Sequence, residues 1–282
     1  MAVSKSVPSR CTIHLRPSML HPGKRAFRPS DAAAILFTAA LAAVFVAAPL
    51  PRPAPAPARM LLPLVVTAVF ALLAALARGV DLSGALAGYA IAFILAARDL
   101  KLFYVLLIVF AVTFAATRLG RERKQEMRKA EARGGRSASQ VAANLGAAAL
   151  VVMLAPAHWP VMALAALAEA AADTSSSEIG LAFPGKTVLI TNWKAVTPGM
   201  DGAVSLLGTV AAILAAALIA ASGRFLGLIS SRQAVVVLFA GFLGTLIDSL
   251  LGAILERRGY LNNDLVNLLS TAASVGIAAV SL

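Results

Sequence analysis

The sequence predicts an all-α protein, a polytopic transmembrane helical bundle of about nine spans, and three observations lead there. Of its 282 residues, 60% are hydrophobic and only 13% charged, where soluble domains carry about 25% charged residues. Mean hydropathy is +0.84, more apolar surface than a water-soluble fold has interior to hide. Apolar runs able to cross about 30 Å of hydrocarbon at about 1.5 Å per residue recur from residue 32 to the C-terminus. Residues 31–282 are therefore read as one membrane domain. Residues 1–30 are read as a disordered basic tail, since no polar stretch elsewhere is long enough to fold separately.

The tail carries Lys5, Arg10, Arg16, Lys24, Arg25 and Arg28 without an acid. That pattern also fits a transit peptide or the charged region of a signal, and Met19 offers a later start. A cytoplasmic lead-in to the first span is preferred. Cys11 is the one cysteine, so no intrachain disulfide is expected, and with three histidines neither is a zinc site. Apolar segments follow at 31–48, 60–77, 82–97, 101–117, 139–155, 160–172, 203–221, 233–255 and 264–282. PLPRPAPAPA, between the first two, alternates proline with small residues and is expected to be an extended connector. The sixth segment is short and carries Glu169, which predicts a re-entrant or broken helix.

With the N-terminus inside, 19 Lys and Arg fall on the inner side and 6 on the outer. The positive-inside rule then makes the N-terminus cytoplasmic and, with nine spans, puts the C-terminus outside. The segments richest in polar residues follow spans four, six and eight. Two crossings separate each from the next, so all three share one face of the membrane. That favours a single interfacial site over a through-pore.

Several residues on that face carry candidate chemistry. In ADTSSSEIG, Asp173 and Glu178 need water, a partner or a cation, because a carboxylate at bilayer depth costs at least ~2.5 kcal/mol. Glu169 and Asp173 are four apart and share a face if the helix continues, and such oxygens suit Mg2+. The bland alternative makes Asp173 an N-cap and the serines, Ser177 among them, a turn. Gly199 and Gly202 precede span seven, where unpaired first-turn amides accept phosphate oxygens, with Lys194 as counter-charge; a plain interfacial loop explains the same residues. Span eight places Gly241, Gly244, Thr245, Asp248, Ser249 and Gly252 at helical three and four spacings, a small and polar stripe that must face protein. Asp248 is either functional or an inter-helix hydrogen bond. Gln140 with Asn144, and Asn263 with Asn267, are amide pairs four apart that bind ribose, base or phosphate, or tie helices together. Segment 118–136 holds eight bases. It is expected to be mostly an exposed helix drawn to anionic head groups, with Arg133 and Arg136 aimed at a phosphate. It lacks interleaved aromatics, so nucleic acid is not an expected partner. Nothing in the sequence sets an oligomeric state.

In this order, DLSGALAG at 81–88, TRLG with GGRSASQVAANLG, ADTSSSEIG, TPGMDGAVSLLGT, and GFLGTLIDSLLGA followed by LNNDLVN resemble a family of integral membrane proteins. That family includes transmembrane protein 19 and plant phytyl-phosphate kinase. A looser likeness runs to CTP-using polyprenol kinases and phosphatidate cytidylyltransferases. The resemblance implies a kinase that transfers a phosphoryl group from a nucleoside triphosphate, CTP favoured, to an isoprenoid monophosphate with Mg2+. By that analogy Asp173, Glu178 and Asp248 hold the metal and are catalytic, while Lys194, Gly199 and Gly202 meet the nucleotide and substrate. Arg136, Gln140, Asn144, Ser177, Asn263 and Asn267 are the further binding candidates. Met200 and Asp201 depart from the family pattern. The expected setting is a bacterial inner membrane or its equivalent, with the active site cytoplasmic. A lipid or lipid-phosphate transporter and a non-enzymatic membrane structural protein stay open as alternatives.

Overall fold

A computed structural model describes residues 29–47, 57–127, 135–154, 157–183 and 185–282. Most of the basic tail, most of the proline-rich connector and Arg133 lie outside the described residues. Each of the nine apolar segments forms a helix: α1 (Pro29–Ala47), α2 (Pro57–Leu76), α3 (Leu82–Arg98), α4 (Leu100–Arg118), α6 (Ala138–Leu154), α7 (Trp159–Ala182), α8 (Leu206–Phe225), α9 (Ser231–Leu251) and α10 (Asn263–Val280). A short α5 (Arg121–Glu126) follows α4. Five of the starts, those of α3, α4, α8, α9 and α10, are marked by residues whose side-chain oxygens satisfy orphan first-turn amides. Asp81 accepts from Gly84 in α3, Asp99 from Lys101 in α4, Ser205 from Gly208 in α8 and Asn262 from Leu265 in α10. Ser230 and Gln233 form a reciprocal capping box on α9.

The architecture is an all-α membrane bundle, but nine counts apolar segments more than clear spans. Among the described residues, four helices are long and apolar enough to cross a membrane: Leu100–Arg118, Leu206–Phe225, Ser231–Glu256 and Asn263–Val280. Four others are shorter apolar helices.

The sixth segment corrects the sequence reading most. It is neither broken nor re-entrant: α7 runs 24 residues without interruption, about 36 Å. Asp173 is therefore inside a helix and caps nothing, and the serines make no turn. Helix α7 sits at the centre, packed by α4, α6, α8, α9 and α10, and residues 163–168 are 0% exposed. Its alanine-rich face lets neighbours approach closely, as packing among membrane helices requires. The predicted small stripe of α9 meets it. A Cβ added to Gly241 would lie 2.7 Å from Ala168 Cβ, and one on Gly244 2.6 Å from Glu169 Cγ. Ser274 of α10 closes the other side by donating to Ala165 O at 2.8 Å.

One element has no counterpart in the apolar pattern. Between α7 and α8 the chain forms a two-stranded antiparallel hairpin, β1 (Thr187–Leu189) with β2 (Ala203–Ser205), in register Thr187 to Ser205.

Gly244→Val should force α7 and α9 apart and destabilise the bundle by about 2 kcal/mol, read as a lowered thermal midpoint of the purified protein in detergent.

Candidate active site

The ends of the helices bring the polar segments together. Along the last turns of α7, Asp173, Ser176, Ser177 and Gly180 recur at three, four and seven residues, so they share one face. That face looks onto Asp248 and Ser249 of α9, onto Gly252 just beyond it, and onto Asn263 and Asn267 of α10. Arg136, Gln140 and Asn144 close the α6 side, and residues 198–203 close the hairpin side. Together these line a cleft of about 480 Å3.

Within it the carboxyl groups of Asp173 and Asp248 are neighbours that interact electrostatically. The Ser270 hydroxyl lies 3.1 Å from Asp248 Oδ2 and 3.0 Å from Asn267 O, and its one proton is shared between these two acceptors. The Arg136 guanidinium faces Asp173 electrostatically, and its Nη2 donates to Thr174 Oγ1 at 3.3 Å.

Backbone pairing is what holds Arg136 there. Asp81 N–H donates to Arg136 O at 2.9 Å and Arg136 N–H to Gly79 O at 3.1 Å, one rung of parallel pairing between Val80 and Arg136. Asp81 Oδ1 accepts from Ser83 Oγ at 2.7 Å and from Gly84 N–H at 2.8 Å, while Ser83 Oγ accepts from Ala138 N–H at 3.0 Å. A side chain at position 84 would collide with Arg136 O. The DLSG string is thus a clamp on the segment that carries Arg136. At the start of α6, Gln140 Oε1 accepts from Ser137 N–H at 3.0 Å, and Asn144 Nδ2 donates to Gln140 O at 2.9 Å.

The hairpin is seated on α9. A π-turn, Gly252–Glu256, ends that helix, and such turns recur at functional sites. Gly202, at φ +77°, presses so close to it that a Cβ would collide with Ala253, while a Cβ on Gly252 would lie 3.0 Å from Gly202 N. This contact aims the 199–202 turn at the cleft. It also corrects the sequence reading, because the turn does not open α8. Residues 203–205 intervene as β2, and Ser205 caps the helix, accepting from Gly208 N–H at 3.2 Å.

Two other site residues fall differently from expectation. Lys194 is exposed on the hairpin and does not line the cleft. Glu178 lines it, but its Oε2 is held at 2.5 Å by Lys124 Nζ. Lys124 itself is 0% exposed and also donates to Ala116 O at 3.0 Å and Thr117 O at 3.2 Å. It is a cation on the carbonyl end of α4, where helix polarity favours one. The expectation of a largely exposed basic helix therefore fails at Lys124. Residues 128–134 of that run lie outside the described residues.

Sequence reasoning missed Lys124 and Ser270. The second was findable, since Asn263, Asn267, Ser270 and Ser274 form a polar stripe at helical spacing on α10. Glu169 lies behind the cleft at 1% exposure, beside Ser270, with no hydrogen-bond partner for Oε1.

Among the described residues no group of three or more His, Cys, Asp or Glu is arranged to hold a metal. The pair Asp173 and Asp248 is another matter: two carboxylates this close repel unless a proton or cation lies between them. Hard oxygens from two carboxylates, in a cleft with room for phosphates and water, fit Mg2+, which seldom takes an all-protein cage.

The family model for integral membrane protein DUF92 matches residues 65–275, a stretch that contains every cleft residue. The chain belongs to the DUF92 family. Within it, the chain is 34% identical over 219 residues to a membrane protein of Methanocaldococcus jannaschii, covering 76% of this chain and 90% of that one. It is 33% identical over 192 residues to a membrane protein of Synechocystis, covering 64% and 74%. It is also 43% identical over 101 residues to Protein VTE6, chloroplastic, of Arabidopsis thaliana, covering 35% and 30%. No solved structure matches the chain.

In this DUF92 protein, Lys124→Met should leave Glu178 unpaired and cost on the order of 3 kcal/mol. Adding Glu178→Gln should recover most of the loss in a double-mutant unfolding comparison.

Proposed function

We propose that the protein is a membrane-embedded isoprenoid phosphate kinase, moving a phosphoryl group from a nucleoside triphosphate, CTP favoured, to a lipid monophosphate. Two adjacent carboxylates facing an arginine, in one polar cleft at the end of an apolar bundle, carry the proposal. The motif resemblance to plant phytyl-phosphate kinase supports the choice of substrate.

A phosphate monoester is already an anionic nucleophile near neutral pH. No strong general base is required, and the protein has to supply position and charge stabilisation. Asp173 and Asp248 would hold Mg2+, which when bound neutralises phosphate charge and orients the transferring group. Arg136 binds and orients a phosphate from the opposite wall. Ser270 fixes Asp248, Ser176 offers a hydroxyl donor, and Ser177, whose proton goes to Thr174 O at 3.1 Å, offers an acceptor. The amides of Asn144, Asn263 and Asn267 have donors and acceptors for ribose, base or phosphate, and the backbone at Gly199 and Gly202 lies open to the cleft beside Met200 and Asp201. Glu178 serves as an anchor for Lys124 and not as a metal ligand in this scheme, and Lys194 has no part in it. Ser139 N–H donates to Asp31 Oδ1 at 3.5 Å, so the start of α1 lies beside the Arg136 end of α6. With the excess of bases on that side, the positive-inside rule assigns cleft and N-terminus to the cytoplasm.

Purified protein given phytyl or geranylgeranyl monophosphate, labelled CTP or ATP, and Mg2+ should form the lipid diphosphate, and chelation of the metal should stop it. Asp173→Asn and Asp248→Asn should each lower kcat/KM by about 100-fold, while Lys194→Ala should stay within about twofold. Absence of diphosphate with every nucleotide and lipid tried, or full turnover by Asp173→Ala, would overturn the proposal.

A further inference from the structure

A second cavity, of about 100 Å3, lies between α2, α3, α4 and α6. Its walls are mostly apolar, with Phe70, Phe110, Phe114, Gly88, Val141 and Leu145 among them, and Arg78 and Arg118 line it as well as Arg136. The rings are fixed by one another: Phe70 meets Phe110 edge-on at 5.1 Å and 87°, and Phe110 stacks on Phe114 at 5.5 Å and 21°. At the inner end the slot reaches Ala170, one turn before Asp173, together with Arg136 and Asn144, and these last two also line the polar cleft. The two cavities therefore share a wall. On its far side, α2 turns Leu62, Val65, Val69, Leu72 and Leu73 outward, a face suited to hydrocarbon.

We infer that this slot seats the head-proximal part of the hydrocarbon tail of the lipid phosphate, with Arg136 and Asn144 marking the boundary between phosphate and chain; this rests on the proposed substrate class. Lipid tails are as apolar as the protein side chains around them, so moving a tail from bilayer to slot brings no hydrophobic gain, and selection has to come from fit. A narrow slot with mutually braced aromatic walls provides fit. A cleft for a water-soluble phosphate would need no apolar extension beginning at its arginine. At about 100 Å3 the slot takes the first carbons of the tail and leaves the remainder in the bilayer beside α2.

Gly88 gives access to the question. A Cβ there would meet only Val141 Cγ1, at 3.8 Å, and Gly88 and Val141 both line the slot, so a larger side chain at position 88 should fill part of it. The experiment uses the full chain in nanodiscs and geranylgeranyl monophosphate bearing a photoreactive diazirine on its first isoprene unit. The expected label lies on peptides containing Phe70, Phe110 or Leu145, and unlabelled geranylgeranyl monophosphate competes it away. Gly88→Phe should lower that labelling, and raise the lipid KM relative to the nucleotide KM, by about tenfold. If Gly88→Phe fails to fold, Val141→Phe obstructs from the opposite wall with the same expected result. Label confined to the outer surfaces of α8–α10, or undiminished by either obstruction, overturns the slot while lipid diphosphate formation by the wild type leaves the kinase standing. Equal slot labelling by a phosphate-free alcohol of the same tail, uncompeted by the phosphate, also overturns it, as a general bilayer-lipid site. Competed slot labelling in a protein that forms no diphosphate with any nucleotide keeps the slot and removes the kinase.

Discussion

Close packing around α7 is the constraint on which the rest of the molecule depends. In a bilayer, helix association draws little on the hydrophobic effect, so it needs surfaces that approach closely enough for dispersion and hydrogen bonding to act. The alanines of α7 and Gly241 and Gly244 of α9 supply such a surface. Asp248 continues the same face of α9, four residues beyond Gly244. The glycine seam in the apolar part of the interface therefore sets how near Asp248 stands to Asp173 one turn further along. A change that looks like core packing is also a change in the separation of two carboxylates.

Burying charge among apolar helices is costly unless each charge is met by another group, and the cleft end does this in three ways. Lys124 and Glu178 neutralise each other while Lys124 also takes two carbonyls at the end of α4. Arg136 meets Asp173 and Thr174. Asp248 takes the Ser270 hydroxyl from α10 and stands beside the Asp173 carboxyl of α7. The first arrangement is satisfied within the protein. The Asp173 and Asp248 pair is met only in part, since the one arginine facing Asp173 leaves two acids with a single positive partner, and this separates a structural ion pair from a site that invites a ligand.

The helices were legible because nine apolar runs are long and bounded by caps and glycines, and the convergence of the polar segments followed from counting crossings. Other features were hidden for identifiable physical reasons. Glu169 and the serines read as a break in α7 because an acid in an apolar run costs so much alone; the tertiary structure provides the cleft and Ser270 that let the helix continue. Lys124 was lost in a run of bases, as its partner Glu178 is 54 residues away. Lys194 is near the 199–202 turn in sequence, yet it lies on the exposed part of a hairpin whose three-residue strands are too short to leave an alternating pattern. The DLSG string was visible as a motif, but its role works through the carbonyl of Arg136, which no spacing of side chains discloses.

That role also explains why residues with no reactive group matter at this site. A long arginine on an unconstrained segment would lose much conformational freedom on gripping a ligand. Here the backbone of Arg136 is fixed on both sides, by Gly79 and by Asp81, before anything binds. Asp81, Ser83 and Gly84 therefore contribute to the cleft from a distance by removing freedom from a residue that borders both cavities. Since the same guanidinium-bearing segment walls the polar cleft and the apolar slot, a shift of its backbone would move the boundary of both at once. The division between charged and apolar space is thus set by main-chain pairing at Val80 and Arg136, and the side chains around it refine a position already chosen.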